Sequence, residues 1–318
     1  MTTPQSQPTP APAQPQAGGP APTPSAAAPG RPAPQSTPQG QPQWPGQAPL
    51  GGYVSPIPIR KATLADALAA EWTKIRSIRS TVWTLGTTVL LIVGMGLLAA
   101  SVISATDSTA AMETDRTPVL VLGIYGTMLS LICVITLGVL TMSSEYGTGL
   151  IRTTLTACPD RARVLTAKAV VFFLLTLVTT TVATTLVAVA TEGIAGRLGA
   201  VPTAEQWLKA TVGVSLFMSL VGVLALAVGA MLRHSAGAIA VMLGLVMMPL
   251  VLAMFLVASD LNEIRSWLLV YSIPNQLGVF YDVKAGTGPS GWDPLWIMTL
   301  VTGAALGGAY LSLAKRDA

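Results

Sequence analysis

The chain has 318 residues, of which 51% are hydrophobic and only 10% charged, against about 25% charge in soluble globular domains. A mean hydropathy of +0.61 excludes an ordinary water-soluble domain and describes a polytopic membrane protein. Its net charge of +4 therefore reads by side of the membrane, not as a nucleic-acid surface. Two cysteines, Cys133 and Cys158, form no disulfide framework, and the one histidine, His234, has no neighbours with which to bind a metal.

Residues 1–59 are mostly Pro, Gln, Ala, Gly, Ser and Thr, with 17 of the 24 prolines. A segment with so little to bury is expected to be a disordered, partly polyproline tail. It has neither the basic start nor the short apolar core of a signal peptide. A solvated tail and a docking site for a proline-binding partner both fit it. Residues 60–82 hold an amphipathic helix over Ala62–Ser80. Leu64, Leu68, Trp72, Ile75 and Ile78 recur at spacings of 4, 4, 3 and 3, which makes one face. Lys74 and Arg76 lie off that face, and Arg79 follows, so the helix is expected flat on the inner membrane surface. Glu71 interrupts the apolar stripe. Its partner is Lys74 or solvent, or a basic residue of the loop after the second span.

Residues 83–318 contain six apolar runs: Trp83–Ile103, Val119–Met142, Ala169–Ala190, Ala210–Leu232, Ala236–Val257 and Leu295–Ala314. Each has about the 20 residues that a spanning helix needs, so the fold class is an all-α polytopic membrane protein. With the N-terminus inside, 13 basic residues fall on the inner side and 5 on the outer. Lys and Arg resist translocation, so both termini are expected in the cytoplasm of a cell-membrane protein. Between the last two spans, Ile264–Val270 and Ile273–Phe280 are apolar but too short to cross. They are expected to dip into the outer leaflet or to cap the bundle, in an aromatic belt with Trp267, Tyr271, Tyr281, Trp292 and Trp296.

The segment Ser143–Lys168 is read as a cytosolic loop. It carries Arg152, Arg161, Arg163 and Lys168 against Glu145 and Asp160. Ser143, Ser144 and Thr148 can cap free N–H groups there, and Gly147 and Gly149 permit a sharp turn. No Asp, Glu, Lys, Arg or His lies inside the six runs. Ion-coupled carriers generally hold such groups at membrane depth, although carbonyls and hydroxyls alone can bind sodium. The chain has no Gly-Lys pair and hence no phosphate-binding G-x-x-x-x-G-K-[ST] loop. It shows no other enzymatic signature, so it is expected to be no enzyme and to bind no cofactor of its own.

Thr176, Thr180 and Thr184 share a helical stripe in the third span. They either bond back to their own helix carbonyls or form a mildly polar wall on a substrate route. Gly303 and Gly307, a GxxxG pair in the last span, serve either packing within the bundle or a subunit contact. Met242, Met247, Met248 and Met254 read as adaptable packing.

Four stretches carry a family resemblance: E-W-T-K-I-R-S-I-R-S-T-V-W (Glu71–Trp83), S-S-E-Y-G-T-G-L-I-R-T-T-L (Ser143–Leu155), L-R-H-S-A-G-A-I-A (Leu232–Ala240) and the broken apolar stretch before the last span. In these the chain resembles the membrane subunit of ABC-2-type ABC transporters, mostly exporters. The resemblance implies a six-span permease that pairs with a second, identical or related, permease and takes its force from a separate cytosolic ABC ATPase, where ATP and magnesium bind. It places the ATPase contact at Glu145, Tyr146, Gly147, Thr148, Gly149, Leu150, Ile151 and Arg152, with a second contact at Arg233 and His234. It makes Glu71, Trp72, Lys74, Arg76 and Arg79 part of the interfacial helix. A charge-free path implies a hydrophobic or amphipathic cargo. A non-transporting membrane scaffold or sensor, and an ion-coupled carrier, are the competing readings.

Overall fold

A computed structural model describes residues 62–106, 119–196, 200–256, 261–283 and 286–315; the tail 1–59 lies outside them. The described residues are helical and contain no β-strand. Six helices are long and apolar enough to cross a bilayer, which makes this an all-α polytopic membrane protein.

Helix α1 is Leu64–Ser77. Thr63 caps it reciprocally with Asp66: the Asp66 N–H donates to Thr63 Oγ1 (3.3 Å) and the Thr63 N–H to Asp66 Oδ2 (2.9 Å). The chain bends at Ile78, in extended conformation, and enters α2 (Arg79–Thr106), so Arg79 already belongs to the first span. A 3-10 turn at Val119–Leu122 leads into α3 (Gly123–Thr148). Gly149 (φ 74°) ends α3 in the left-handed conformation that glycine tolerates best. Helix α4 follows at once (Leu150–Ala157), then α5 (Arg161–Ala195), which Asp160 caps by accepting from the Arg163 N–H. Helix α6 (Ala204–Leu232) contains a π-helical turn at Lys209–Gly213. Arg233 (φ 54°) turns the chain into α7 (Ser235–Phe255), whose first turn His234 caps. Two short helices, α8 (Asn262–Val270) and α9 (Ile273–Val279), precede α10 (Asp293–Lys315).

Of the 19 residues of Val214–Leu232, 14 are buried, against 5 of the 23 in α10. Helix α6 is thus the central post, and α10 packs on the outside. Glycines bring the central backbones together. A Cβ on Gly126 would lie 2.5 Å from the Ile92 carbonyl oxygen of α2, and one on Gly229 2.9 Å from the Val139 carbonyl oxygen; Gly138 meets the Gly222 carbonyl more closely still. Close approach of this kind replaces the hydrophobic drive that helices lack inside lipid.

The two short helices divide the expected roles. In α8, Ile264 and Trp267 are exposed. In α9, Ile273, Gln276, Leu277, Gly278 and Val279 are buried, so α9 plugs the bundle. Behind it, the Phe280 ring sits 5.8 Å from Phe217 and 6.3 Å from Trp292. This aromatic end lies opposite the basic end, where α1, α4 and the start of α5 meet.

Three details differ from the sequence reading. Ser143–Lys168 is no open loop: α3 runs on to Thr148, α4 occupies its middle, and α5 begins eight residues before the third apolar run. Ser144 and Thr148 donate to Leu140 and Ser144 carbonyls within α3 and so cap nothing. Gly303 and Gly307 make no close contact, because a Cβ at either would meet no atom within 4 Å, so they do not serve packing within the bundle.

Candidate functional site

Four charged side chains from three helices meet at the basic end. Helix α5 has 35 residues, about 52 Å at 1.5 Å per residue, well beyond the roughly 30 Å hydrocarbon thickness. Its first two turns can therefore carry charge at the membrane boundary. Lys168 sits on the second of them, only 1% exposed. Its Nζ donates to Glu71 Oε2 of α1 (2.6 Å) and to Glu145 Oε1 of α3 (2.9 Å). Lys74 Nζ donates to the same two acids, Glu71 Oε1 and Glu145 Oε1, both at 2.9 Å, and to Thr154 Oγ1 of α4 at 3.3 Å. Two cations and two anions make the cluster neutral. With Glu71 3% and Glu145 6% exposed, each charge depends on the others for the solvation that water would give.

Lys74 is the part-exposed member. Burial pulls its pKa down, but the hydrogen bonds to Glu71 and Glu145 outweigh this, and the ammonium titrates above its ordinary 10.5.

The sequence places Glu71 in the apolar stripe of α1 and Lys74 off it. The structure turns the helix differently: Glu71, Lys74 and Ile75 face the bundle, while Leu64 (45%) and Trp72 (46%) are exposed. Both partners envisaged for Glu71, Lys74 and a basic residue of the following segment, are present at once. Lys168, absent from the predicted site, is the hub. The clue lay in its position, one residue before an apolar run that its own charge had cut short.

Around the cluster, α5 is tied at its start. Arg161 Nη1 donates to the Leu313 carbonyl at the end of α10 (2.9 Å), Arg163 donates to the Ala62 carbonyl before α1, and Thr166 pairs with the Tyr310 hydroxyl (2.7 Å). The Arg233 guanidinium lies over the Tyr146 ring, 5.0 Å from its centroid. This joins the two segments expected to touch an ATPase.

The expected contact residues divide by exposure. Gly147, Thr148, Gly149, Leu150, Arg152 and His234 are exposed; Tyr146 and Arg233 are half-buried. Glu145 and Ile151 are corrected to interior positions, because the first is held by two lysines and the second packs into the core. Arg76 and Arg79 are exposed. An apolar groove of about 200 Å³ runs between α1 and α4, with Ala67, Ala70 and Ala157 in its walls and Glu71 and Lys74 beside it.

The threonine stripe is packed and is not a channel wall. Thr176, Thr180 and Thr184 are each 1% exposed and donate to the carbonyls of Phe172, Thr176 and Thr180 at 2.7–2.9 Å. Thr184 also lies 3.3 Å from Ser215 Oγ on α6. Among the described residues, no group of three His, Cys, Asp or Glu side chains is placed to hold a metal ion.

Residues 79–317 match the model of a family described as a protein of unknown function (DUF2705). No curated protein matches the chain. The match begins at the first residue of α2, so Glu145 and Lys168 fall within it and Glu71 and Lys74 before it.

Proposed function

The chain belongs to the DUF2705 family of proteins of unknown function, and we propose that it is the permease subunit of an ATP-driven transporter, worked by a separate ABC ATPase on the cytosolic side. The observation that carries this reading is the joint itself. The exposed turn Gly147–Leu150 directly ends α3, and the inner end of α3 is ion-paired to α1 and α5 through Glu145, Lys74, Glu71 and Lys168. A partner pressing on that turn moves three helices together. The bias of basic residues puts this end in the cytoplasm, and both termini with it.

The glycine contacts among α2, α3 and α6 support rocking of a stiff block rather than bending of single helices. Trp72, Leu64 and the neighbouring face of α1 lie at the inner lipid surface. Cargo of hydrophobic or amphipathic character, and pairing with a second permease, complete the proposal.

The test is uptake of an amphipathic dye by inverted vesicles holding the chain and a co-expressed ABC ATPase. Uptake should need both proteins and ATP. Uptake that persists without the ATPase, and collapses with an ionophore while ATP remains, would replace this reading with an ion-coupled carrier. ATP-dependent co-purification without any uptake would favour a scaffold.

A further inference from the structure

A line of cavities follows one flank of α10. One, about 320 Å³, lies between α5, α6 and α10, with Leu174 on one wall, Gly303 on the other and Val223 beneath. The next, about 480 Å³, shares Thr299 with it, and a third, about 430 Å³, shares Trp296 with the second. From Asp293 to Leu306 the line covers roughly 20 Å at 1.5 Å per helical residue, about two thirds of the hydrocarbon thickness. Its deep part is apolar, since the Thr302 hydroxyl there is spent on the Leu220 carbonyl (3.2 Å). Gly303 leaves it open: a Cβ there would meet nothing within 4 Å.

The mouth is different. The Tyr271 and Trp296 rings border it together with Asp293, and the Trp267 ring lies 5.2 Å from Tyr271, tilted by 38°. Asp293 is the one charged residue lining the three cavities among the described residues. It sits in the first turn of α10, where a full negative charge exceeds the opposing half-charge of the helix end. Aromatic faces beside a carboxylate attract an organic cation, and a narrow apolar groove at hydrocarbon depth takes an alkyl chain.

We propose that this groove is a binding site for a membrane lipid whose head ends in an ammonium, with one acyl chain along α10 and the head against Tyr271, Trp296 and Asp293. The carboxylate between two aromatic faces at the mouth selects a cationic head, and a second copy of the chain, with Lys209 and Arg265 at the same end of the bundle, is the competing occupant that the experiment rules in or out. The site stands on this chain alone and does not depend on the permease reading.

The experiment is native mass spectrometry of the purified chain released from nanodiscs of equal parts phosphatidylethanolamine and phosphatidylglycerol. The protein should retain phosphatidylethanolamine about threefold to fivefold over phosphatidylglycerol, the factor of an exposed cation–π contact. Gly303→Leu fills the groove without a backbone clash and should abolish retention of both lipids. Asp293→Asn and, as a second variant that spares the start of α10, Trp296→Ala should bring the ratio towards one while retention persists. Equal retention of the two lipids by the unaltered chain overturns the proposal, as does unchanged retention in Gly303→Leu. Conversion of a dimer to a monomer by Gly303→Leu would assign the groove to a second copy and overturn it too.

Discussion

The basic end and the middle of the membrane solve one problem in opposite ways. At the basic end, Glu71, Lys74, Glu145 and Lys168 pair with one another across three helices and a sequence separation of 97 between Glu71 and Lys168. In the middle, Thr176, Thr180 and Thr184 satisfy themselves, each on the preceding turn of its own helix. The first arrangement makes each polar group depend on distant elements; the second leaves the helices free of such dependence and lets glycine contact fix their spacing. A coupling joint belongs in the first kind of region, because only there does displacement of one element oblige another to follow.

Substitutions can break that contrast, and thermal unfolding of the detergent-purified protein measures each. Lys168→Met should be the most severe. It leaves two buried carboxylates to share Lys74 alone, and removal of one partner from a buried ion cluster destabilises by about 3–5 kcal/mol. Gly138→Ala should follow at about 1–3 kcal/mol, because its methyl meets the Gly222 backbone, which cannot turn aside as a side chain could. Lys74→Met should lose about 0.5–1 kcal/mol, the smaller value reflecting a side chain 35% exposed and partly screened.

The pH dependence sharpens the same point. Lys74 titrates above its ordinary 10.5 in the folded protein. Its ion pairs therefore stabilise fully below that pH and are lost as pH climbs through the raised value. The stability gap between the parent and Lys74→Met should stay level from neutrality up to about pH 10 and close above it. Smallest of all, Thr180→Val and Thr184→Val should each change stability by less than about 1 kcal/mol, since the carbonyl that each hydroxyl meets keeps its helical N–H. A large loss in either threonine variant would erase the distinction between the two regions.

Much of this was readable from residue order. All six spans, the turn at Gly149, the unusual position of Glu71 and the short helices before the last span follow from run length, glycine and a carboxylate in an apolar stripe. The joint was not readable, for physical reasons. Lys168 ends an apolar run by composition, yet the helix it belongs to starts at Arg161, because Asp160 caps that turn and nothing in it breaks a helix. The burial of Lys168 depends on Glu71 and Glu145 arriving from elsewhere, and periodicity within one segment carries no record of a partner 97 residues away. The threonine stripe failed differently: spacing showed a shared face, but whether that face lines water or another helix depends on α6, whose Ser215 meets it.

The most direct test of the joint is a distance. Spin labels at Trp72→Cys on α1 and Ala162→Cys on α5, both exposed positions, can be followed by pulsed electron paramagnetic resonance in nanodiscs holding the chain and a co-expressed ABC ATPase. The ion-paired joint requires the same α1–α5 distance with and without ATP, and a broadened distribution when Lys168→Met is added. An α1–α5 distance that shifts on ATP binding in the unaltered chain would contradict it, because α1 would then be moving independently of the helix that carries Lys168.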